Sequence, residues 1–331
     1  MRKRNTKKIT GLVTCEYIAR FPNTNSLTLA RKLYKDNPSL FANCEHARTS
    51  IRYYRGQLGK KNRKYQIASK NRDLIFPAGE KNDFSPYILP AKRGERWLVL
   101  SDIHIPYHDE KAIIRVLEFA VDAGVTGVVL NGDTLDCYQL SSFSRDPRAR
   151  EFGHELDLAR ELLDLIADYL PGVKIYWKDG NHEERFHRYL MNKAPELLNI
   201  EWVSLQAFLE LKDRGVEYID NKRIIRLGKL AIIHGHEYST PKLGPVNPAR
   251  WLFTRAKEIA ICGHYHQTCE HNEPTISDKL IACWSTGCLC DLHPKYMPLN
   301  NWNHGFAYVE ITDDAGGFLM HNKRIVGGSI V

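Results

Sequence analysis

Five apolar segments of this chain each end in a short run of aspartate, asparagine or histidine. RWLVL, TGVVL, VKIYW, LAII and EIAIC lead into SDIH, NGD, KDGNH, HGH and GHYH. Their β-branched and aromatic content predicts buried strands. The amphipathic stretches EKAIIRVLEFAVDAG and GHELDLARELLDLIADYLPG separate the first three, which predicts a βαβαβ order and a parallel sheet with ligands outside the carboxyl ends of its strands.

The polar residues at these strand ends form a set of candidate metal ligands. Taken singly, each is an ordinary loop residue or, for Asn181, a helix cap. Together they supply imidazole, carboxylate and amide oxygen, a mixture that suits Mn, Fe, Zn or Ni. The candidate ligands are Asp102, His104, Asp133, Asn181, His234, His264 and His266. Seven ligands are too many for one ion, and a single carboxylate can bridge two.

The same residues give the chain a resemblance to the calcineurin-like metallophosphoesterase superfamily, from about Arg96 to the end. Five motifs appear in order: DIH, GDTLD, GNHE, HGH and GHYH. The resemblance implies an α/β sandwich of two mixed sheets with helices outside. The strand-rich segments LIACWSTG, GFAYVEIT and GGFLMHNKRIV are compatible with the second sheet.

The resemblance also implies roles for individual residues. Asp102, His104 and His266 would hold one metal ion, Asp133 would bridge, and Asn181, His234 and His264 would hold the other. Metal-activated hydroxide would attack phosphorus, and His182, oriented by Asp136, would protonate the departing oxygen. Arg185 and His236 are candidate substrate contacts, although Arg185 is equally well a surface arginine and His236 a support for the ligands. The expected cofactor is two divalent ions, Mn²⁺ first, with Fe, Zn or Ni as alternatives.

One departure from the motifs of the superfamily narrows the range of candidate substrates. Its Ser/Thr protein phosphatases continue the second motif with Arg-Gly, whereas this chain has Cys137 and Tyr138 after Asp136. A phosphoprotein substrate is therefore disfavoured. The GHYH ending is shared by nucleases and nucleotide phosphodiesterases and does not choose between them. A basic module ahead of the first motif is similar to an arrangement in phage or mobile-element phosphoesterases.

The N-terminal part differs in charge and pattern from the rest. Residues 1–90 hold 19 Lys and Arg against 6 Asp and Glu, a net +13 in a chain of net +8. Short helices are predicted, one capped at Asn25 or Ser26 and one capped at Asn43, with Arg48, Arg52 and Arg55 on one side of the latter. The spacing and charge favour a helix-turn-helix-like module that binds nucleic acid, with a solvated charged face as the alternative.

These patterns divide the chain into three predicted parts. Residues 1–66 are a small all-α basic module, 67–95 a linker rich in polar residues, Pro and Gly, and 96–331 the phosphoesterase domain. No apolar run is long enough to span a membrane, and the basic N-terminal stretch lacks a signal-peptide core, so we expect a cytoplasmic protein without a membrane partner. Protein partners stay open.

The eight cysteines show no disulfide spacing and are expected to be reduced. Cys283, Cys288 and Cys290 cluster, but CWSTGCLC fits no common zinc spacing, and we expect no metal role there.

Three hypotheses for function remain open at this stage. The first is a DNA- or RNA-directed phosphodiesterase with its own binding module. The second is a small-molecule nucleotide or phosphomonoester phosphatase whose N-terminal region contacts a partner. The third is a DNA-binding regulator with an inactive phosphoesterase fold, which the full set of ligands and His182 argues against.

Overall fold

The computed structural model describes residues 2–58, 80–81, 84–142, 146, 148, 151–220, 222–238 and 244–331. It divides into two compact units, Met1–Lys81 and Asn82–Val331. The predicted boundary at residue 66, and most of the predicted linker, lie outside the described residues. The part of that linker that is described is not a free connector. It contributes strand Tyr87–Leu89, which pairs with Ile225–Leu227.

The first unit contains three helices: α1 (Arg2–Arg20), α2 (Ser26–Asp36) and α3 (Cys44–Tyr54). The Asn25 side chain accepts a hydrogen bond from the Thr28 amide, and the Asn43 side chain accepts one from the His46 amide, both at 2.8 Å. Each asparagine therefore caps a helix N-terminus. The helices bury a small apolar core of Leu29, Ala30, Leu33, Phe41, Ala47 and Ile51. The predicted helical content of this module is confirmed, whereas its helix-turn-helix character stays a prediction.

The described part of the second unit is built from two mixed sheets. Its strands are β1 (Tyr87–Leu89), β2 (Arg96–Leu100), β3 (Gly127–Asn131), β4 (Lys174–Lys178), β5 (Val216–Ile219), β6 (Ile225–Leu227), β7 (Leu230–Ile232), β8 (Ala260–Cys262), β9 (Cys269–Pro274), β10 (Leu280–Ser285), β11 (Gly305–Ile311), β12 (Phe318–Val326) and β13 (Ser329–Ile330). One sheet has the order β13-β12-β11-β2-β3-β4-β5 and the other β1-β6-β7-β8-β10-β9.

Helices cover the outer faces of the two sheets. They are α4 (Glu110–Asp122), α5 (Phe152–Tyr169), α6 (Glu184–Lys193), α7 (Leu205–Phe208) and α8 (Pro248–Ala256), with 3₁₀ turns at Tyr138–Leu140 and Pro195–Leu197. Side chains alternate along β2: Trp97 and Val99 face the other sheet, whereas Leu98 and Leu100 face the helices. This alternation gives one apolar layer between the sheets and another beneath the helices. The predicted two-sheet α/β sandwich is confirmed.

Strands β2 to β5 run parallel, so their carboxyl ends lie at one edge of their sheet. The pairs Leu100–Leu130 and Leu130–Trp177 are in register, which keeps the ends of β2, β3 and β4 level. In the second sheet β7 and β8 also run parallel. No helix among the described residues is long and apolar enough to cross a membrane.

Candidate metal centre

Five of the predicted ligands adopt a backbone conformation that is uncommon for residues other than glycine. The φ angles are 58° at Asp102, 52° at His104, 52° at Asp133, 69° at His264 and 56° at His266. Positive φ at such residues is strained and persists only where the surrounding structure determines it. The strand-end loops turn back sharply at these positions, and their side chains consequently point at one another.

Glycines let the loops approach closely enough for these side chains to meet. A Cβ atom at Gly180 would overlap the Asp133 carboxylate, and one at Gly263 would overlap Ser101. The motifs around Asn181 and His264 therefore need glycine because a side chain at either position would not fit.

The first group of ligands converges around His104. Its Nε2 atom lies 3.2 Å from Nε2 of His266, which lies 3.1 Å from Oδ1 of Asp102. Oδ2 of Asp133 lies 3.9 Å from the same His104 nitrogen. The Nδ1 atom of His104 is 3.0 Å from Oδ1 of Asp136 and donates its hydrogen to that carboxylate. In the neutral ring, Nε2 of His104 then carries a lone pair that faces the other ligands.

The second group shares Asp133 with the first. Nε2 of His234 lies 3.3 Å from Oδ2 of Asp133 and 3.3 Å from Oδ1 of Asn181. The Nδ1 atom of His234 donates to the carbonyl oxygen of Asn131 at 2.8 Å, so its lone pair also faces inward. His264 lies within metal-ligand reach of Asp133 and His234. The seven predicted ligands thus converge in two groups joined by Asp133.

The donor set fits divalent cations. In each group, lone pairs of nitrogen and oxygen face one another at 3.1 to 3.3 Å, an arrangement that is unfavourable unless a proton or a cation lies between them. Burial alone would lower the pKa of His234, but Asp133 and Asp102 more than offset it and raise that pKa to about 10. Burial lowers the pKa of His264 to about 4, so this ring is neutral near pH 7, as a metal-binding imidazole is.

His182 lies beside this centre and is not one of the seven predicted ligands, although its ring is close enough to His104 and Asp133 for the three to hold an ion together. Its Nδ1 atom is 3.0 Å from Oδ1 and 2.9 Å from the carbonyl oxygen of Asp136. Its Nε2 atom is 3.8 Å from Oδ2 of Asp133 and 3.0 Å from a guanidinium nitrogen of Arg185. Burial would lower the pKa of His182, but the charges of Asp133 and Asp136 outweigh it and raise that pKa above its ordinary value. The predicted pairing of Asp136 with His182 is present, and the same carboxylate also holds His104.

Two further buried carboxylates, which the sequence analysis did not single out, hold the loops in place. Glu183 accepts backbone hydrogen bonds from Asp133 at 3.0 Å, Leu135 at 2.9 Å and Gly180 at 2.8 Å. It therefore joins the loops after β3 and β4. Glu183 is the last residue of the GNHE motif. Its place in that motif could have identified it as a residue of the site.

Glu237 does the same for the loop after β7. It accepts hydrogen bonds from the amides of His234 and Gly235 and pairs with the fully buried Lys178 at 3.0 Å. Burial would raise the pKa of Glu237, but Lys178 and the nearby histidines hold that pKa at about 2. A buried lysine at the end of β4 has no signature in the sequence, since its partner lies on a distant loop.

The remaining predicted site residues lie at the edge of the centre. Arg185 donates to the carbonyl oxygen of Asp136 at 2.8 Å. His236 lies with its Nε2 atom 3.0 Å from Oε1 of Glu184, next to the second group of ligands rather than in it. Their roles toward substrate stay predictions.

The cysteine cluster is closer to the centre than expected. The Sγ atom of Cys290 lies 4.0 Å from Nδ1 of His266, and Cys290 could join His104 and His266 around one ion. Spacing along the chain did not reveal this, because the two histidines come from other loops.

The arginines predicted to contact DNA lie on or just after α3. Arg48 lies 3.4 Å from Glu45, and Arg55 is the C-cap residue of the helix. The Arg55 guanidinium donates to Ser26 Oγ and to the carbonyl oxygens of Phe21 and Pro22, each at 3.3 Å. Arg55 thus ties the α1–α2 turn to α3, which the sequence analysis did not foresee.

Comparison with known proteins agrees with this site. The family model for calcineurin-like phosphoesterase matches residues 96–282, more than half of the chain. The chain therefore belongs to the calcineurin-like phosphoesterase family, a family of metal-dependent phosphoester hydrolases.

Individual proteins resemble the chain more distantly. The Gene 54 protein of Mycobacterium phage L5 is 26% identical over 238 residues, which are 66% of this chain and 89% of that protein. The phosphoesterase Yfce from E. coli is 18% identical with a TM-score of 0.32, covering 68% of this chain and 98% of its own. A dimetal phosphatase from Danio rerio is 12% identical with a TM-score of 0.34, covering 70% and 96%.

Proposed function

We propose that the protein hydrolyses phosphodiester bonds in nucleic acid with two divalent metal ions. The observation that carries the proposal is the pair of ligand groups that share Asp133, with His182 beside them. Asp102, His104 and His266 would hold one ion, and Asn181, His234 and His264 the other. When bound, such ions polarise phosphoryl oxygens and bring the pKa of water close to neutrality.

The protein's own contribution is to orient groups around the phosphate and to supply a proton. Asp136 accepts the Nδ1 hydrogen of His182, so the transferable proton is on Nε2, which faces Asp133. From there it can pass to the departing oxygen as the ester bond breaks. The hydrogen bonds of Glu183 and Glu237 hold the loops, so little reorganisation is needed during the reaction.

The role of Arg185 depends on the protonation state of His182. Its guanidinium and a protonated Nε2 cannot both donate across the 3.0 Å that separates them. When His182 carries its second proton, Arg185 is released toward the phosphate, where a guanidinium can donate to a non-bridging oxygen.

The substrate class is tested by comparing esters on the full-length protein. With Mn²⁺ present, we expect hydrolysis of bis-p-nitrophenyl phosphate and of labelled single- or double-stranded DNA. Hydrolysis of p-nitrophenyl phosphate alone, with both DNA substrates left intact, would replace the proposal with a small-molecule phosphomonoesterase.

We further propose that nucleic acid, most simply DNA, is bound by the N-terminal helical unit. Its support is the net +13 of residues 1–90 and the half-buried Arg48 and Arg52 on α3. The Arg48–Glu45 pair is at the surface, and such a pair is easily exchanged for a phosphate. Arg55 is assigned a structural part, because its guanidinium already holds the α1–α2 turn.

Replacing Arg48 and Arg52 together by alanine should weaken the salt dependence of duplex binding. Each lost phosphate contact removes about 0.9 from the log–log slope, so the slope should become shallower by about 1.8. Fluorescence anisotropy over a salt series measures it. The control removes two exposed lysines from the second unit, Lys111→Ala with Lys212→Ala, at the same change in net charge. Equal slopes in the two double variants would rule out α3 as the contact surface.

A further inference from the structure

Helix α6 has one polar face made largely of basic and aromatic residues. Arg185, Arg188, Tyr189, Asn192 and Lys193 recur at intervals of three and four, which places them along one side of the helix. We call these five residues the basic stripe. A neighbouring side of the helix buries Phe186 and Leu190 in the core. The helix is thereby fixed in rotation, and the stripe always faces the same way.

The basic stripe lines a cavity that reaches the candidate metal centre. The cavity has a volume of about 880 Å³ and is also lined by Asn181 and His264, two ligands of the second group. Lys222 and Tyr238 form further parts of its wall. A phosphate held at the metals would therefore share this cavity with the stripe.

The acidic residue on the wall of this cavity does not neutralise the stripe. Glu184 is engaged by Lys222 at 2.9 Å and by His236 at 3.0 Å, whereas Arg188 lies 3.9 Å from it. Arg188 instead donates to the backbone carbonyl of Asn181 at 3.0 Å. Its guanidinium is thus held next to a metal ligand. A solvated helix face would not require this anchoring.

The length of the stripe exceeds what a single phosphate needs. Arg185 and Lys193 are eight residues apart, about 12 Å along the helix axis at 1.5 Å per residue. A stacked nucleic acid strand advances about 3.4 Å per nucleotide. The stripe is long enough for several nucleotides.

An adjoining cavity adds surfaces on which bases could stack. It has a volume of about 630 Å³ and shares Arg188 and Lys222 with the first. Phe84 and Met191, 66% and 60% exposed, lie on its wall together with Asp179 and Asp220. The exposed apolar side chains suit bases better than phosphates and so favour a backbone path along the stripe, with bases toward Phe84 and Tyr189.

We propose that the basic stripe binds the phosphates that flank the scissile bond of a single-stranded polynucleotide. Unpaired bases can reach the aromatic side chains, as in other grooves that combine cations with stacking surfaces. The inference rests on the proposed function and refines its substrate from nucleic acid in general to a strand several nucleotides long.

The test pairs Arg188→Ala with Lys193→Ala in the full-length protein, against the control Lys111→Ala with Lys212→Ala. Affinity for a fluorescein-labelled single-stranded octanucleotide is measured in metal-free protein, where no cleavage occurs. Loss of two phosphate contacts should make the log–log salt slope shallower by about 1.4. With Mn²⁺ restored, kcat/KM for the octanucleotide relative to a dinucleotide should fall roughly tenfold, as expected for about 1.4 kcal/mol of lost binding.

The other outcomes distinguish an error in the role of the basic stripe from an error in the proposed function. A salt slope equal to that of the control, or equal loss on dinucleotide and octanucleotide, would overturn the stripe while leaving nucleic acid hydrolysis intact. Wild-type protein that hydrolyses bis-p-nitrophenyl phosphate but no oligonucleotide would overturn the proposed function itself, whatever the variants do.

Discussion

Asp133→Asn should remove nearly all phosphoesterase activity, by roughly 10³-fold or more. Asp133 belongs to both ligand groups, with Oδ2 3.3 Å from His234 and 3.9 Å from His104. An amide has one oxygen to offer and no negative charge, so two cations can no longer be held against it. Several kcal/mol of transition-state stabilisation are lost with the pair of ions, and each 1.36 kcal/mol is a factor of ten. Steady-state turnover of bis-p-nitrophenyl phosphate with saturating Mn²⁺ measures the loss.

The fold should survive this substitution. The asparagine oxygen can still accept the hydrogen bond from the His182 amide that Oδ1 accepts at 2.9 Å. Asp122→Asn, an exposed residue at the end of α4, is the matched control and should keep full activity. Circular dichroism and thermal unfolding verify that both variants are folded. A folded Asp133→Asn protein with more than a tenth of wild-type turnover would contradict the bridging role.

His182→Asn should slow hydrolysis by roughly 10²- to 10⁴-fold on substrates with poor leaving groups, the usual contribution of general acid catalysis. His182 lies outside both ligand groups proposed here, with its Nδ1 held by Asp136 and its Nε2 3.8 Å from Asp133. Bound metal should therefore stay unchanged. Esters whose leaving oxygen is already a weak base need no proton, and on those the loss should be much smaller. Rates on aryl and alkyl esters, with metal content measured alongside, separate the two effects.

His321→Asn is the control for this series. His321 on β12 pairs with Glu310 on the neighbouring strand β11, and its loss should leave both rates unchanged. If His182→Asn slows the hydrolysis of aryl and alkyl esters equally, His182 does not donate the proton to the leaving group. If it loses metal, His182 is a ligand.

The sequence allowed the convergence of the candidate ligands to be predicted, because each of them lies in the loop just after an apolar strand. Parallel strands end at one edge, so the strand pattern alone brings Asp102, Asp133 and Asn181 together. The positive φ angles that turn Asp102 and Asp133 inward could not be predicted, since they result from loops packing against one another. Strand β1 was assigned to a linker for a similar reason: three residues, YIL, pair with a strand 138 residues away.

Buried charged residues outside the motifs were also not predicted from the sequence. Lys178 and Glu237 are 59 positions apart in the sequence, and only folding brings Nζ within 3.0 Å of Oε1. Cys290 was set aside because its spacing to other cysteines fits no zinc motif, whereas the structure places it near His266 and His104. Arg55 was grouped with Arg48 and Arg52 by helical spacing, although its position at the helix end turns it toward the α1–α2 turn.

The most direct test of the two-metal centre is to count ions per chain while activity is restored. Mn²⁺ is titrated into metal-free wild-type and Asp133→Asn protein, and bound metal and turnover of bis-p-nitrophenyl phosphate are followed together. We expect turnover in the wild type to rise as binding approaches two ions per chain, and the variant to bind fewer and stay inactive. Full wild-type turnover with one ion or none per chain would contradict the account.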